Sequence, residues 1–176
     1  TILDWAHTNQ VGFSSVVSLG ASADLDVGEV LNYLVNDNQT RAILLYLEGV
    51  RDARSFMSAL RAAARAKPVI AIKAGRAGGV NVMARTHSGA MVGRDDAFEA
   101  ALRRAGAVRV HSVVELFAAA RVLTSNYRTQ GRRLAVVTNG AGPGVMTADR
   151  ALDLNVAGAH LDGATVSNLG KPLPAN

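Results

Sequence analysis

One histidine in this chain stands where chemistry is expected. His87 lies within KAGRAGGVNVMARTHSGAMVG, residues 73–93, between a β-like run at Pro68–Lys73 and a helix-like run at Asp95–Arg104. The intervening stretch is rich in Gly and Ala, and small residues let a backbone approach a ligand and aim its N–H groups inward. An imidazole on such a loop can serve as nucleophile, base or ligand; the plainer reading is a polar loop residue. Glu48 is a second anchor, ending the strand-like run AILLYLE. Its carboxylate can take a hydrogen bond from one imidazole nitrogen of His87, setting the tautomer and leaving the other nitrogen free to attack. It can equally pair with Arg51 or Arg54 as a solvated strand-end residue, and spacing alone does not choose. A third feature is GAGPGVMTADR, residues 140–150, in which Gly140, Ala141, Gly142 and Gly144 join a strand to a helix. The N–H groups and positive dipole end of a helix start suit a phosphate, although a tight strand-to-helix turn needs the same residues. It is neither a Gly-Lys-Ser/Thr P-loop nor a clean GxGxxG.

The other histidines are less promising. His7 is on an opening helix, His111 follows a strand and His160 lies near the chain's end. No pair has zinc-ligand spacing and there is no cysteine, so no metal site is expected. No G-x-S-x-G elbow is present, which argues against a serine hydrolase of that kind.

Strand-helix alternation must position these residues. The reading is a helix end at Thr1–Thr8, a strand at Phe13–Leu19 and a helix at Val27–Asn36 capped by Asp26. A buried strand follows at Arg41–Leu47, then a helix at Asp52–Ala66 and a strand from Pro68. After the His87 loop come a helix at Asp95–Arg104, a strand at Val108–Val110 and a helix at Val113–Thr124. Such alternation predicts right-handed crossovers and a parallel doubly wound sheet over residues 11 to about 111, in which ligands sit outside the carboxyl ends of the strands. Glu48 and the His87 loop should therefore share one edge, with the imidazole in reach of the carboxylate. The polar stretch NYRTQGRR, from Asn126 to Arg133, reads as a linker between domains, with residues 127–133 as its bounds. The pattern then restarts with a strand at Leu134–Asn139, the Gly140–Gly144 loop, a helix at Val145–Leu154 and a short strand near Val156. Domains are thus expected at 1–126, lacking a first strand, and at 134–176 as the start of a second α/β unit, in a fragment of a larger protein.

Of 176 residues 49% are hydrophobic and only 5% aromatic, which favours tight layered α/β packing. The net charge of +5 suits polyanions such as CoA or nucleotides, but the arginines are scattered and no aromatics interleave with them, so nucleic acid is not an expected partner. No apolar run approaches the roughly 18 residues of a membrane span. The lack of cysteine fits a reducing, cytoplasmic setting.

The segments VGFSSVVSLGASADLDVGEVLNYLVND, TRAILLYLEGVRDARSFMSALRAAARAKPVIAIKAGR, THSGAMVG and RLAVVTNGAGPGVMTADRA agree in order and spacing with a known family. Over almost the whole chain the sequence resembles the succinyl-CoA-synthetase-like region of the NDP-forming acyl-CoA synthetases. TILDWA and the ILLYLEG to KAGR segment look closest to the Pat-type bacterial protein lysine acetyltransferases, which join such a region to a GNAT domain. The resemblance implies a flavodoxin-like domain of the succinyl-CoA synthetase type. It implies that His87 is the mobile phosphohistidine and that Glu48 orients it. Gly140, Ala141, Gly142 and Gly144, with Ser88 and Gly89 beside the histidine, would then bind phosphate. CoA or acyl-CoA and ADP or ATP with Mg2+ are the implied cofactors. The implied partners are a CoA-binding Rossmann domain and an ATP-grasp domain, in the same or another chain, besides a GNAT domain or further copies of the chain. The alternative functions are a regulatory acyl-CoA or nucleotide sensor within an acetyltransferase, and a generic flavodoxin-like binding module.

Overall fold

Three short runs, ILLYL, VIAIK and VRV, line up as β1 (Ile43–Leu47), β2 (Val69–Lys73) and β3 (Val108–Val110) in a parallel sheet of order β1-β2-β3. The structure is a computed structural model and describes residues 2–20, 24–75, 95–125 and 129–170. Ile43 pairs with Val69 and Leu47 with Lys73, while Ile70 pairs with Val108 and Ile72 with Val110. β2 is the central strand and every residue of it is buried, which is why its sequence is continuously apolar up to Lys73.

Alternation of side chains divides the core in two. Ile43, Leu45, Leu47, Val69 and Ala71 face one layer of helices, α2 (Val27–Asn36), α3 (Ala53–Ala66) and α4 (Asp95–Ala105). Ile70, Ile72 and Val110 face α5 (Val113–Thr124) through Leu116. Three of these helices, α2, α3 and α5, start on a capping side chain. Asp26 and Glu29 form a reciprocal capping box on α2, Asp52 accepts from Arg54 and Ser55 N–H on α3, and Ser112 accepts from Glu115 N–H on α5. α4 stops at Gly106, whose φ of +84° permits the reversal; Ala107 N–H then bonds Leu102 O at 3.0 Å. Gly28 lies at a close approach, since a Cβ there would come within 3.1 Å of Ser55 Oγ. α1 (Ile2–Thr8) stacks Trp5 on Phe117 of α5, with ring centroids 4.3 Å apart.

The stretch Phe13–Leu19 departs from its expected role, because it is not a strand of the described sheet, which runs from Ile43 to Val110. Ser14 bonds Thr40 at 2.8 Å and Phe13 meets Phe117 edge-on, but Val16 and Val17 are 61% and 53% exposed. β-branched content makes a segment fit a sheet; only a ladder partner makes it a strand. Here a groove of about 1290 Å3 lies between this segment and β1.

The chain divides into units Thr1–Asn126 and Tyr127–Asn176. The second contains β4 (Arg133–Leu134), α6 (Ala141–Asp153), β5 (Ala157–Gly158) and α7 (Gly163–Gly170), with β4 and β5 paired in parallel. Its strands are shorter than the run LAVVTN suggests. α6 begins at Ala141, four residues earlier than expected, with Gly140 as its extended N-cap. α7 was unanticipated although its capping residue is legible: Asp162 accepts from Thr165 N–H at 2.7 Å.

Candidate active site

Parallel pairing fixes where Glu48 lies. β1 ends at Leu47, whose carbonyl accepts from Ala74 N–H at 2.9 Å just beyond the end of β2. Gly75 follows with φ +71°, the left-handed conformation that glycine adopts without strain. Glu48, half-buried and lining the groove beside β1, is thus at the same carboxyl edge as the start of the loop that carries His87. His87, Ser88 and Gly89 themselves lie outside the described residues.

A charged cluster that sequence reasoning missed sits at the same edge. Lys73, Ala71 and Val69 point to one face of β2, and Arg109 pairs in register with Ala71, so both cations project toward α4. Asp95, the first residue of α4, takes Arg109 Nη2 at 2.6 Å and Lys73 Nζ at 3.8 Å on the same Oδ1. Arg109 Nη1 reaches Glu99 Oε2 at 3.0 Å and Asp95 O at 3.4 Å. Phe98 offers its ring to both, with its centroid 5.6 Å from Lys73 Nζ and 5.9 Å from Arg109 Cζ. Lys73 is 5% exposed and the Arg109 side chain 6%, and Arg109 Nε is buried without a hydrogen-bond partner. Burial works against the guanidinium's charge, but its bonds to Asp95 and Glu99 and their negative charges outweigh it, so its pKa is raised. The cluster was foreshadowed by a lysine closing an apolar strand, an arginine inside VRV, and acids at helical i, i+4 spacing in α4.

In the second unit the Gly140–Gly144 turn is not a loop ahead of the helix. Gly140 is the N-cap of α6, with φ −120° and no side chain to cap, and Ala141 begins the helix. Thr138 Oγ1 accepts from Gly140 N–H and donates to Gly140 O, both at 3.1 Å. Gly144 N–H is spent on Gly140 O at 3.3 Å and Pro143 has none to offer. Of the residues singled out for phosphate, Ala141 and Gly142 therefore keep N–H groups that a helix start leaves without an intrahelical acceptor. Gly144 has a packing reason to be glycine, since a Cβ would come within 3.2 Å of Thr138.

Among the described residues no group of three or more His, Asp or Glu is placed to hold a metal ion, and no helix is long and apolar enough to cross a membrane.

Comparison with known proteins agrees with this architecture. The family model described as succinyl-CoA ligase like flavodoxin domain matches residues 1–123. The ADP-forming acetate–CoA ligase I of Archaeoglobus fulgidus is 43% identical over 99% of the chain and 25% of its own length. The α subunit of the ADP-forming acetate–CoA ligase I of Pyrococcus furiosus is 38% identical over 91% of the chain and 34% of its own length. The structure of an acetyl-coenzyme A synthetase from Ca. Korarchaeum cryptofilum in complex with phosphate and ADP superposes with a TM-score of 0.86 at 31% identity, covering 98% of the chain and 38% of that one. The chain thus spans about a quarter to two fifths of these relatives, which carry further domains or subunits. The acetyltransferase alternative gains nothing from them, since they are CoA ligases.

Proposed function

This chain belongs to the family of succinyl-CoA ligase like flavodoxin domains, and on that premise we propose that it is the phosphohistidine-bearing part of an NDP-forming acyl-CoA synthetase. The reaction is acyl-CoA plus phosphate plus NDP giving the free acid, CoA and NTP. Phosphate attacks the thioester carbonyl and CoA leaves as thiol, giving an acyl phosphate. A nitrogen of His87 attacks phosphorus, the P–O bond to the acyl group breaks and the carboxylate departs. Phospho-His87 then passes its phosphoryl group to the β-phosphate of the NDP. The relatives' names make acetyl-CoA and ADP the first pair to test.

The observation that carries this reading is the position of Glu48. It follows β1 at the carboxyl edge of the sheet, and β1's last carbonyl bonds Ala74 at the foot of the segment leading to His87. A carboxylate there would hold the imidazole's tautomer and balance its charge as it becomes phosphorylated. Ser88 and Gly89 adjoin His87 in sequence and would help to hold the phosphoryl group. In the second unit the N–H groups of Ala141 and Gly142 would bind phosphate oxygens, aided by the helix dipole. Phosphoryl transfer asks mainly for such positioning and charge neutralisation. CoA-binding and ATP-grasp domains would supply the other sites, and Mg2+ would enter with the nucleotide. The reading places the protein in the cytoplasm, where its substrates meet.

The test uses the full-length protein with acetyl-CoA, labelled phosphate and ADP. Label should appear on protein as an acid-labile, alkali-stable phosphoramidate and be absent in His87→Ala. Glu48→Gln should fold normally and label more slowly, by up to about 10⁴-fold if the orienting carboxylate matters as it does in a protease triad. Wild-type protein that turns over acetyl-CoA without taking label on His87 would overturn the proposal.

A further inference from the structure

We infer that Arg109 is a positioning residue for the phosphohistidine segment, acting through Asp95. The inference rests on the phosphohistidine reading above and adds to it a residue that no motif marks.

β2 ends at Lys73 and α4 begins at Asp95, and the two side chains meet at 3.8 Å. His87 lies between them in sequence. Both ends of the segment are thus held at one point. Lys73 pairs in register with Leu47, one residue before Glu48, so that point adjoins the carboxylate. Arg109 makes the join rigid. Its planar fork spans Asp95 Oδ1 and Glu99 Oε2, at 2.6 and 3.0 Å, and also reaches Asp95 O. It grips the first turn of α4 from the neighbouring strand. A lysine has the charge but not the two-armed geometry.

Burial favours this role over simple stabilisation. Burying the Lys73 and Arg109 side chains under α4, against carboxylates that stay more than a third exposed, is weak evidence for stability, because well-packed apolar residues often do as well or better. Arg109 even leaves Nε without a partner. What the ionic set offers is directional: it fixes where α4 begins, and so where the segment ends. Holding a reacting group in place is worth much in rate, and a displacement of about 1 Å can cost roughly 10²-fold.

The test is a single-turnover measurement in the full-length protein, with phosphohistidine formation followed by rapid quench from acetyl-CoA and phosphate, and from ATP. Arg109→Lys and Asp95→Asn conserve size and are compared singly and together. Each is expected to lower the rate constant of His87 labelling about 10- to 100-fold in both directions. The labelling amplitude and the KM values for acetyl-CoA and ADP should stay near wild type. The double variant should be no slower than the slower single one, because both remove one link. A purely structural role would instead lower amplitude, through loss of folded protein, and leave the rate constant of the remainder intact; that result overturns the inference, as do additive losses. Absence of label on His87 in the wild type overturns the functional reading itself, and is seen before any variant is made.

Discussion

At the scale of single residues, Glu48, Gly140 and Gly106 differ in how directly their neighbours explain them. Glu48 owes its place to strand register, and Gly140 to a Thr138 hydroxyl that bonds both sides of its peptide. Gly106 owes its identity to backbone conformation alone. Its φ of +84° ends α4 and turns the chain into β3, the strand that carries Arg109. A Cβ there would find room, with Ala64 Cβ at 3.9 Å, so a substitution is penalised by the backbone rather than by a clash. Gly106→Ala is therefore expected to destabilise the first unit by about 1–2 kcal/mol in urea unfolding. Gly12→Ala, at an open position of the same unit without a left-handed φ, should change that stability by under about 0.5 kcal/mol. Equal effects would refute the conformational account.

At the scale of elements, a junction between helices sets a pH dependence. Lys67, just past α3, donates its ammonium to the carbonyls of Leu34 and Asp37, where α2 ends. Asp37 turns the chain there, accepting from the Thr40 hydroxyl and from Gln39 N–H. Those two hydrogen bonds, then the positive charge of Lys67, hold its carboxyl below the ordinary value of 3.8 despite some burial. A depressed folded-state pKa means that the stabilisation is complete above the unfolded value and is lost as pH falls through the folded one. Asp37→Asn should thus be less stable than wild type at neutral pH, and the gap between their denaturation midpoints should close in acid below that range. A gap unchanged by acid would show that the ionised form contributes nothing. Asp52 and Ser112 cap α3 and α5, and the capped start of α2 was readable from Asp26, because a cap is a local bond between a side chain and the next turn. The Lys67 junction was not, because it joins residues some thirty positions apart.

At the scale of the molecule, the chain is two units and a fraction of its relatives' length. Phosphoryl transfer from a nucleotide needs a site to hold that nucleotide, and the reading assigns it to domains beyond this segment. The 176-residue chain on its own is therefore expected to take no label on His87 from ATP under conditions in which the full-length protein is labelled. Labelling of the isolated chain by ATP at a comparable rate would place nucleotide binding within it. The scattered arginines, Arg41, Arg51 and Arg121 among the groove's lining, carry the net positive charge without forming one basic face in sequence.

Much of the first unit was determined by sequence alone. Helical periodicity gave α2 and α5 their full extent and α3 and α4 to within a residue, continuous apolar runs marked β1 and β2, and the short run VRV was read as β3. Those signals are local, so a linear reading suffices. Their alternation also required parallel pairing, which put Glu48 and the foot of the His87 segment at one edge. Tertiary structure decided the rest. It left Phe13–Leu19 outside the ladder, because a strand depends on a partner that its own residues do not specify. It drew the Gly140–Gly144 turn into α6, since helix starts are set by which N–H groups find acceptors. It also gathered Lys73, Asp95, Glu99 and Arg109 into one cluster, because residues on separate strands and a helix become neighbours only when alternation within each strand and register between them are satisfied together.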